Sequence, residues 1–349
     1  MFPSKADKLF GVFVKNFIEE LQKQNVIFTR LVLIKGQSFG FFKKVVNYTS
    51  HYFNITFGYF FSAYDLIYVH YISHHIPILF PLLFFKQKPW VLNAHGNDVI
   101  DLQKNRLLNF FAKRVLKKVD LVVVPTVYFK DKIIKNYPFL NDSSVFISPS
   151  GGVDSNCFYL EKDRVVNDIF TVGFVSRFVE EKGWKTFLDA LVLLKDQNIY
   201  FKAILAGKGP DEENIKKYIT RKELNKNVEF LGFVKQEELV HLYNKFDLYI
   251  FPTYREAESL GLTGVEAMAC GTPVVACNIS GPSTYVTHGQ NGYLFDPKNH
   301  KQLSEIIKVH QTLLPEEKIQ FSINALQTAA QFEQSFVAKE LLKRLKKLL

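Results

Sequence analysis

The chain has 349 residues, of which 47% are hydrophobic and 22% are charged. This composition excludes an intrinsically disordered chain, and the length is sufficient for two domains of ordinary size. The three cysteines, Cys157, Cys270 and Cys277, form no metal-ligand spacing and favour a reducing compartment, which predicts a cytoplasmic protein. Residues 1–21 lack the apolar core of a signal sequence, and the longest apolar run, at residues 76–85, is about half of a membrane span.

The charge is distributed unevenly along the chain. Residues 1–160 carry 19 lysines and arginines against 10 aspartates and glutamates, a net charge of +9. Residues 161–349 carry 25 against 24, a net charge of +1. A basic half indicates an anionic partner, and the candidates are nucleic acid, phospholipid and a phosphorylated carrier. No nucleic-acid-binding module accompanies the charge, so we expect no nucleic-acid partner.

The first half alternates predicted strands and helices. Residues 2–7 are predicted to form a loop, and a helix opens at Gly11 and runs to about residue 24. The elements that follow are a strand at 26–35, an aromatic-rich and partly helical stretch at 43–61, a strand at 65–70, a helix through residue 85, a strand at 89–94, a helix at 107–118, a strand at 121–125, a helix at 127–136 and a closing segment at 145–154. Polar residues then place a domain boundary near 160–168.

The predicted helix at 107–118 combines cations with apolar side chains. Its cations are Lys113, Arg114, Lys117 and Lys118, and they flank Phe110, Phe111, Val115 and Leu116. Two interpretations fit this pattern: peripheral contact with an anionic membrane, and a solvated helix face.

A polar turn, His95-Gly96-Asn97-Asp98, follows the strand at 89–94. The carboxyl ends of strands are where open α/β sheets bind ligands, and polar side chains there suit sugar hydroxyls. The same residues are also typical of a turn in which Asn97 and Asp98 bond their own backbone. The histidines at 70, 74 and 75 have no carboxylate or cysteine at a matching spacing, so we expect no metal site there.

The second half opens with a strand at 170–176. Arg177 follows this strand, and Lys182 and Gly183 precede a helix at 184–195. Fixed cations in such a loop suit a leaving diphosphate, because it gathers negative charge. The next strand, at 199–206, ends in Gly207-Lys208-Gly209-Pro210, which lacks the G-x-G-x-x-G pattern of dinucleotide sites. The later elements are a strand at 228–234, helix 236–245, strand 247–252, helices 303–313 and 315–330, and a basic amphipathic helix within 332–349.

Two glutamates, Glu258 and Glu266, stand eight residues apart. Gly261 lies between them, and a buried strand at 272–276 follows. This pattern predicts that Glu266 lies in the first turns of a helix and Glu258 in the loop before it. The unpaired N–H groups at the helix start, including those of Leu262 and Thr263, suit phosphate oxygens. A carboxylate one turn further in suits a ribose diol.

The run from Glu258 to Ala276 resembles the E-x7-E signature of retaining, nucleotide-sugar-dependent glycosyltransferases of the two-domain B architecture. The resemblance is closest to family four, the glycosyl transferases group 1 proteins, and is strongest over residues 170–296. It implies that Glu266 holds the donor ribose and that Glu258 lies near the sugar.

The same resemblance assigns roles to residues upstream. Arg177 and Lys182 match a G-R-x4-K-G motif whose cations hold the donor diphosphate. Gly207 and Gly209 match a G-x-G-P turn near the donor nucleotide, and Gly261, Leu262 and Thr263 complete the implied donor site. The turn from His95 to Asp98 is similar to an H-G-x-D turn whose histidine faces the transferred sugar. The implied acceptor-side residues are Gly11, His95, Asn97 and Asp98.

The chain departs from the family pattern in several places. The family begins with a strand that would be central in a doubly wound sheet, and no such strand precedes the loop at 2–7, so we predict a coding start upstream of Met1. Pro149-Ser150-Gly151 stands where an asparagine motif is usual. Thr284 stands where a third glutamate is usual and His288 where an aspartate is usual, and we infer no role for Thr284.

The resemblance implies an α/β fold of two Rossmann-like domains whose mostly parallel sheets face each other across a cleft. We assign residues 1–165 to an acceptor-binding domain, 166–330 to a donor-binding domain, and 331–349 to a helix that crosses back onto the first domain. The implied reaction is transfer of a hexosyl-type sugar to a hydroxyl of a glycan or lipid-linked acceptor, with retained anomeric configuration. The expected setting is bacterial surface polysaccharide or lipid-linked glycan synthesis.

The catalytic residues that we predict are Glu258, His95, Arg177 and Lys182. No cofactor is expected, and no metal either, because the chain contains no Asp-x-Asp pair of the kind that holds a metal on a diphosphate. Two alternatives stay open: a catalytically silent nucleotide-binding homologue, and a nucleotide-sugar epimerase of similar architecture.

Overall fold

The chain forms two compact units. The computed structural model describes residues 2–3, 11–36, 40–164 and 167–349. The first unit comprises Met1–Gly152 together with Gln334–Leu349, and the second comprises Val153–Glu333. The first unit is therefore discontinuous in sequence, and the helical tail assigned to residues 331–349 is part of it from Gln334 onward.

Residues 153–164 belong to the second unit, although we assigned them to the first domain. The predicted boundary at 165/166 itself lies outside the described residues. The segment before it is held by specific contacts: Phe158 is buried in the core of the second unit, and the backbone N–H of Glu161 donates to the side chain of Asn244. The guanidinium of Arg164 donates to the backbone carbonyl of Phe246 at 2.7 Å. A polar composition alone does not reveal such contacts.

In the part of the chain that the structure describes, the α-helices are α1 (Val12–Lys23), α2 (Phe41–Phe61), α3 (Ile72–Leu82), α4 (Asn97–Lys104), α5 (Arg106–Leu116), α6 (Val127–Asn136), α7 (Trp184–Asp196), α8 (Glu212–Arg221), α9 (Gln236–Asn244), α10 (Leu262–Ala269), α11 (His300–Gln311), α12 (Pro315–Ala330) and α13 (Gln334–Lys346). The strands are β1 (Ile67–His70), β2 (Trp90–Asn93), β3 (Leu121–Val124), β4 (Val145–Ile147), β5 (Thr171–Arg177), β6 (Lys202–Lys208), β7 (Val228–Gly232), β8 (Leu248–Phe251), β9 (Val274–Cys277) and β10 (Gly292–Phe295).

The sheet of the first unit is parallel, with the strand order β1-β2-β3-β4. Its central strands β2 and β3 are apolar on both faces, because helices cover both sides. Trp90, Leu92 and their neighbours on β3 pack against α3, α5 and α6. Val91 and the alternate residues of β3 pack instead against α1 and α13.

The strand predicted at residues 26–35 is wrong. Among the described residues, this segment makes a single parallel bridge, between Lys35 and Phe2, and is otherwise without regular structure. A strand exists through pairing with a neighbour, and this apolar segment has no adjacent strand in the described sheet. Most of the loop predicted at residues 2–7 lies outside the described residues.

The sheet of the second unit is also parallel, with the strand order β10-β9-β8-β5-β6-β7. Its two faces are buried in separate cores, one formed with α7, α8 and α11 and the other with α9, α10 and α12. Two parallel sheets covered by helices confirm the predicted α/β class. Over the described residues, we find no helix that combines the length and the apolar character needed to cross a membrane.

Candidate functional site

The strand order of the second unit reverses at β5. From β5 the chain proceeds outward to β6 and β7, then returns to the other side of β5 with β8, β9 and β10. The loops that follow β5 and β8 therefore diverge and leave a crevice at the carboxyl end of the sheet, which is where open α/β sheets bind ligands. Arg177 is the last residue of β5, Lys182 lies in the loop after it, and Glu258 follows β8.

A glycine brings the two loops together. Gly183 has φ +77°, and a Cβ at this position would lie 2.0 Å from the backbone oxygen of Pro252. Any other residue would therefore separate the turn after β5 from the end of β8. This close approach places Lys182, at the end of a short 3-10 turn (Glu180–Lys182), beside the loop that carries Glu258.

Lys182 and Glu258 form an ion pair. The lysine Nζ lies 2.6 Å from Glu258 Oε2, and the two side chains are 15% and 11% exposed. The Thr253 hydroxyl also donates to Glu258 Oε2, at 3.2 Å. The sequence predicted both charged residues at the site, but not that they neutralise each other. An anionic ligand that binds Lys182 must therefore compete with Glu258.

Arg177 differs from Lys182 in its surroundings. It lies at the end of β5 with an exposed side chain, and it makes no ion pair within the residues that the structure describes. Its guanidinium is therefore available to an anion without displacing a carboxylate. Of the two cations predicted to bind the diphosphate, Lys182 is therefore paired with Glu258, whereas Arg177 makes no ion pair among the described residues.

Glu266 occupies the second turn of α10. The Tyr243 hydroxyl donates to Glu266 Oε2 at 3.1 Å. Burial raises the pKa of Glu266 to about 7, and the bond from Tyr243 opposes this rise. The carboxyl group therefore changes its charge near neutral pH. Sequence reasoning missed Tyr243 and Thr253, because each is ordinary in its own segment and reaches its glutamate only through the fold.

The remaining predicted donor residues lie at the same end of the sheet. Gly261 caps the start of α10 with φ +80°, so the N–H groups of Leu262 and Thr263 open the helix without intrahelical acceptors. Gly207 is the penultimate residue of β6, and Gly209 lies in the turn that follows the strand. A Cβ on Gly209 would lie 2.2 Å from the backbone oxygen of Phe178, so this turn packs closely on the end of β5.

The predicted residues of the first unit cluster at the carboxyl ends of β1 and β2. His95 follows β2, and its Nε2 lies 2.9 Å from Nδ1 of His70, the last residue of β1. Aromatic rings of α1 cover the pair, with Phe13 5.0 Å from His95 and Phe17 4.9 Å from His70 between ring centroids. Burial lowers the pKa of His95 to about 3 and that of His70 well below its usual range. Both imidazoles are neutral at pH 7.

Asp98 is buried, so the role expected of it as a group facing the acceptor needs correction. Its Oδ1 accepts from the backbone N–H of His95 at 2.8 Å, and its Oδ2 from that of Ile72 at 2.9 Å. A third bond comes from the N–H of Val99. Burial raises the pKa of Asp98 to about 6, and these donors oppose the rise. Asp98 joins the turns after β1 and β2 and thereby positions His95.

Gly11 and Asn97 lie at helix starts in the first unit. Gly11 precedes α1 with φ +70°, and the exposed Asn97 is the first residue of α4. The neighbouring histidines His74 and His75 bond Tyr48 and His51 respectively. Across the described ranges, no group of three or more His, Cys, Asp or Glu side chains is arranged to hold a metal ion.

A family model matches the second unit. The model described as Glycosyl transferases group 1 matches residues 160–318. The 2-deoxystreptamine N-acetyl-D-glucosaminyltransferase of Niallia circulans is 27% identical over 251 residues, which are 68% of this chain and 64% of that protein. The alpha-monoglucosyldiacylglycerol synthase of Acholeplasma laidlawii is 28% identical over 231 residues, 59% of this chain and 56% of that protein. The chain thus spans less than two thirds of the length of these relatives.

Solved structures share the fold over nearly the whole chain. HepE of Anabaena, determined in complex with UDP, has a TM-score of 0.76 at 21% identity and covers 97% of this chain and 96% of that one. Both units therefore have the architecture of the two-domain B glycosyltransferases, which confirms the fold that the sequence predicts.

Proposed function

We propose that the protein transfers a sugar from a nucleotide-sugar donor to a hydroxyl acceptor with retained anomeric configuration, because the glycosyl transferases group 1 model matches residues 160–318. The observation that carries the proposal is the arrangement around the reversal of strand order: one cation at the end of β5 and another in the loop after it, a carboxylate after β8 and a second carboxylate in α10. These groups suit a diphosphate, a sugar and a ribose respectively.

Each group has a defined task in this proposal. Breaking the bond between the anomeric carbon and the diphosphate oxygen leaves negative charge on the nucleoside diphosphate. Arg177, Lys182 and the N–H groups that open α10 stabilise that charge. Glu266 accepts hydrogen bonds from the ribose diol, which favours its ionised form. Retention requires the acceptor oxygen to bond the anomeric carbon on the face that the diphosphate leaves, and the departing diphosphate oxygen takes the proton of the acceptor hydroxyl.

Donor binding must rearrange the ion pair. Lys182 and Glu258 are both largely buried, so neither can lose its partner cheaply. A diphosphate that binds Lys182 therefore provides the negative charge that the lysine needs as a partner. Glu258 is then free to face the sugar. The transfer step needs no metal in this proposal, because the cations come from the protein.

The acceptor side is proposed for the first unit. A neutral histidine pair and the exposed Asn97 present hydrogen-bonding groups without net charge, which suits the hydroxyls of a glycan or the sugar part of a lipid-linked acceptor. The relatives from Niallia circulans and Acholeplasma laidlawii are named for an aminocyclitol acceptor and a diacylglycerol glycolipid. We propose a cytoplasmic protein of bacterial surface polysaccharide or lipid-linked glycan synthesis, in peripheral contact with the membrane.

The test begins with thermal-shift screening of nucleoside diphosphates and nucleotide sugars, because a ligand of the folded state raises the melting temperature by mass action. We expect one nucleotide sugar to stabilise the wild type and to stabilise Glu266→Ala less. Incubation of that donor with hydroxyl acceptors should then yield an α-linked product from an α-linked donor. An epimerised donor without acceptor would favour an epimerase, and binding without turnover on any acceptor would favour a silent homologue.

A further inference from the structure

Helix α2 turns its phenylalanines and valines away from the first unit. Its inward-facing side includes polar contacts: His51 is buried with Nε2 3.0 Å from His75 Nε2, and the Tyr48 and Tyr52 hydroxyls bond Nδ1 and the backbone oxygen of His74 at 2.6 Å. Ile55 and Tyr59 pack against the core on the same side. The exposed large hydrophobic side chains of the same helix are Phe41, Phe42, Val45, Val46, Phe53, Phe57, Phe60 and Phe61. A helix on the surface of a globular protein normally exposes polar and charged side chains, so this exposed row of large apolar side chains is unusual.

Phenylalanines from two other elements extend this side into one surface. The Phe60 ring lies 5.4 Å from Phe85, which follows α3. Phe84, which precedes Phe85, contacts Phe80. The ring centroids of Phe80 and Phe111 of α5 are 4.7 Å apart. We define the aromatic surface as the exposed members of this group: Phe57, Phe60, Phe61, Phe84, Phe85 and Phe110. Phe61 and Phe84 are 75% and 79% exposed.

The elements that carry the aromatic surface are cationic. Residues 40–62, 71–90 and 105–118 contain no aspartate or glutamate. The exposed cations in these segments are Lys43, Lys44, Lys88, Arg106, Lys113, Arg114, Lys117 and Lys118. The guanidinium of Arg114 lies 3.6 Å from the centroid of the Phe110 ring, so cation and ring share one site. Aromatic groups surrounded by cations match the boundary between the headgroups and acyl chains of an anionic bilayer.

We propose that the aromatic surface docks the first unit on an anionic lipid bilayer. The phenylalanines enter the headgroup boundary, and the surrounding cations approach the lipid phosphates. A second copy of the chain is a poorer occupant, because two copies would bring like charges together with no acidic residue of these segments to pair them. The surface differs from the single helix that the sequence indicated: Val115 and Leu116 of α5 are buried in the core and cannot contact lipid.

The test is flotation of the full chain with phosphatidylcholine vesicles, with and without phosphatidylglycerol. It needs neither donor nor acceptor, so its result is independent of the transfer reaction. We expect binding to the anionic vesicles that weakens with salt. Replacing Lys113, Lys117 and Lys118 by serine should weaken the partition coefficient about a hundredfold, at roughly fivefold for each removed cation. Phe61→Ser with Phe84→Ser should abolish the binding that remains at high salt.

Matched controls come from the second unit. Replacing the exposed Lys217, Lys226 and Lys301 by serine removes the same charge, and Tyr200→Ser removes an exposed aromatic ring. Both variants should bind vesicles as the wild type does, and all variants should keep the wild-type melting temperature, because the replaced side chains are exposed. The proposal is overturned if the wild type ignores anionic vesicles, or if the phenylalanine variant binds unchanged. It is also overturned if the wild type is a dimer that the phenylalanine variant dissociates and that does not bind vesicles.

Discussion

The polar clusters at the carboxyl ends of the two sheets differ in charge. In the second unit, Lys182 pairs with Glu258, Arg177 is exposed, and Glu266 titrates near neutral pH. In the first unit, His70 and His95 are both held neutral by burial, and the carboxylate of Asp98 accepts hydrogen bonds from the backbone. The charged groups that a ligand can contact are thus concentrated in the second unit. In the proposed function, this difference separates recognition of an anionic nucleotide from recognition of neutral hydroxyls.

The largest expected effect follows from removing the paired cation. Lys182→Ala should lower the turnover number by roughly 10²–10³, the effect of removing one donor that stabilises transition-state charge. The initial rate with the right donor and acceptor is the measurement. Lys185→Ala, an exposed lysine one turn further along, is the matched control and should keep wild-type activity. A fully active Lys182→Ala would remove this lysine from the site.

A double variant separates catalysis from stability at the same pair. Lys182→Met leaves the carboxylate of Glu258 buried without its partner and should lower the melting temperature. Adding Glu258→Gln removes that unpaired charge, so we expect the melting temperature to recover while activity stays low. Recovery of activity in the double variant would show that the pair acts in folding alone.

Glu266→Gln should weaken nucleoside diphosphate binding by about 1–3 kcal/mol, because charged hydrogen bonds to the ribose are lost. Calorimetry measures this loss. The pKa of Glu266 in the folded protein, about 7, lies above the ordinary value of 4.5, so its contribution to stability is present below pH 4.5 and is lost as the pH rises through 7. Glu266→Gln should not show this loss of stability with rising pH. The wild type should release protons when it binds nucleotide near pH 7. Equal affinity and equal proton release would contradict the ribose assignment.

His70→Phe should lower the turnover number roughly ten- to a hundredfold with little change in the donor KM, because His95 loses the bond that orients it. His70→Asn, whose amide reaches the place of Nδ1, should restore much of the rate. The comparison distinguishes orientation from packing, since Phe fills the space better than Asn does. Equal rates in both variants would contradict a positioning role.

Asp98→Asn should destabilise the first unit by roughly 1–3 kcal/mol. The NH2 of the asparagine would face a backbone N–H that now donates a hydrogen bond to the carboxylate. Thermal melting measures the loss. Asp101→Asn, on the exposed side of the same helix, is the control and should melt as the wild type does. A melting temperature unchanged in Asp98→Asn would show that the two turns do not depend on this carboxylate.

The smallest effect is expected from chelation. EDTA should leave the initial rate nearly unchanged, because Arg177, Lys182 and the start of α10 provide the positive charge. A rate that EDTA abolishes and Mg²⁺ or Mn²⁺ restores would overturn the metal-free proposal.

The sequence predicted features that depend on neighbouring residues, and it missed contacts between residues that are far apart in the chain. The strands of the second unit and the position of Glu266 in α10 follow from nearby residues, since periodicity and glycine spacing are local signals. The pairing of His70 with His95 and the bond from Tyr243 to Glu266 join residues 25 and 23 positions apart. The strand expected at 26–35 failed for a related reason: the segment is rich in apolar residues, but strand pairing depends on a neighbouring strand, which the local pattern does not reveal.

The discontinuity of the first unit bears on how the protein is made. Leu341 and Leu345 of α13 pack with Val14 and Leu21 of α1 in a single core. On the ribosome, the second unit has its full set of residues once Glu333 has emerged, whereas the first unit still lacks α13. The half that is synthesised first is thus the last that can finish folding. Until then the apolar surface that α13 covers is open to chaperones and proteases.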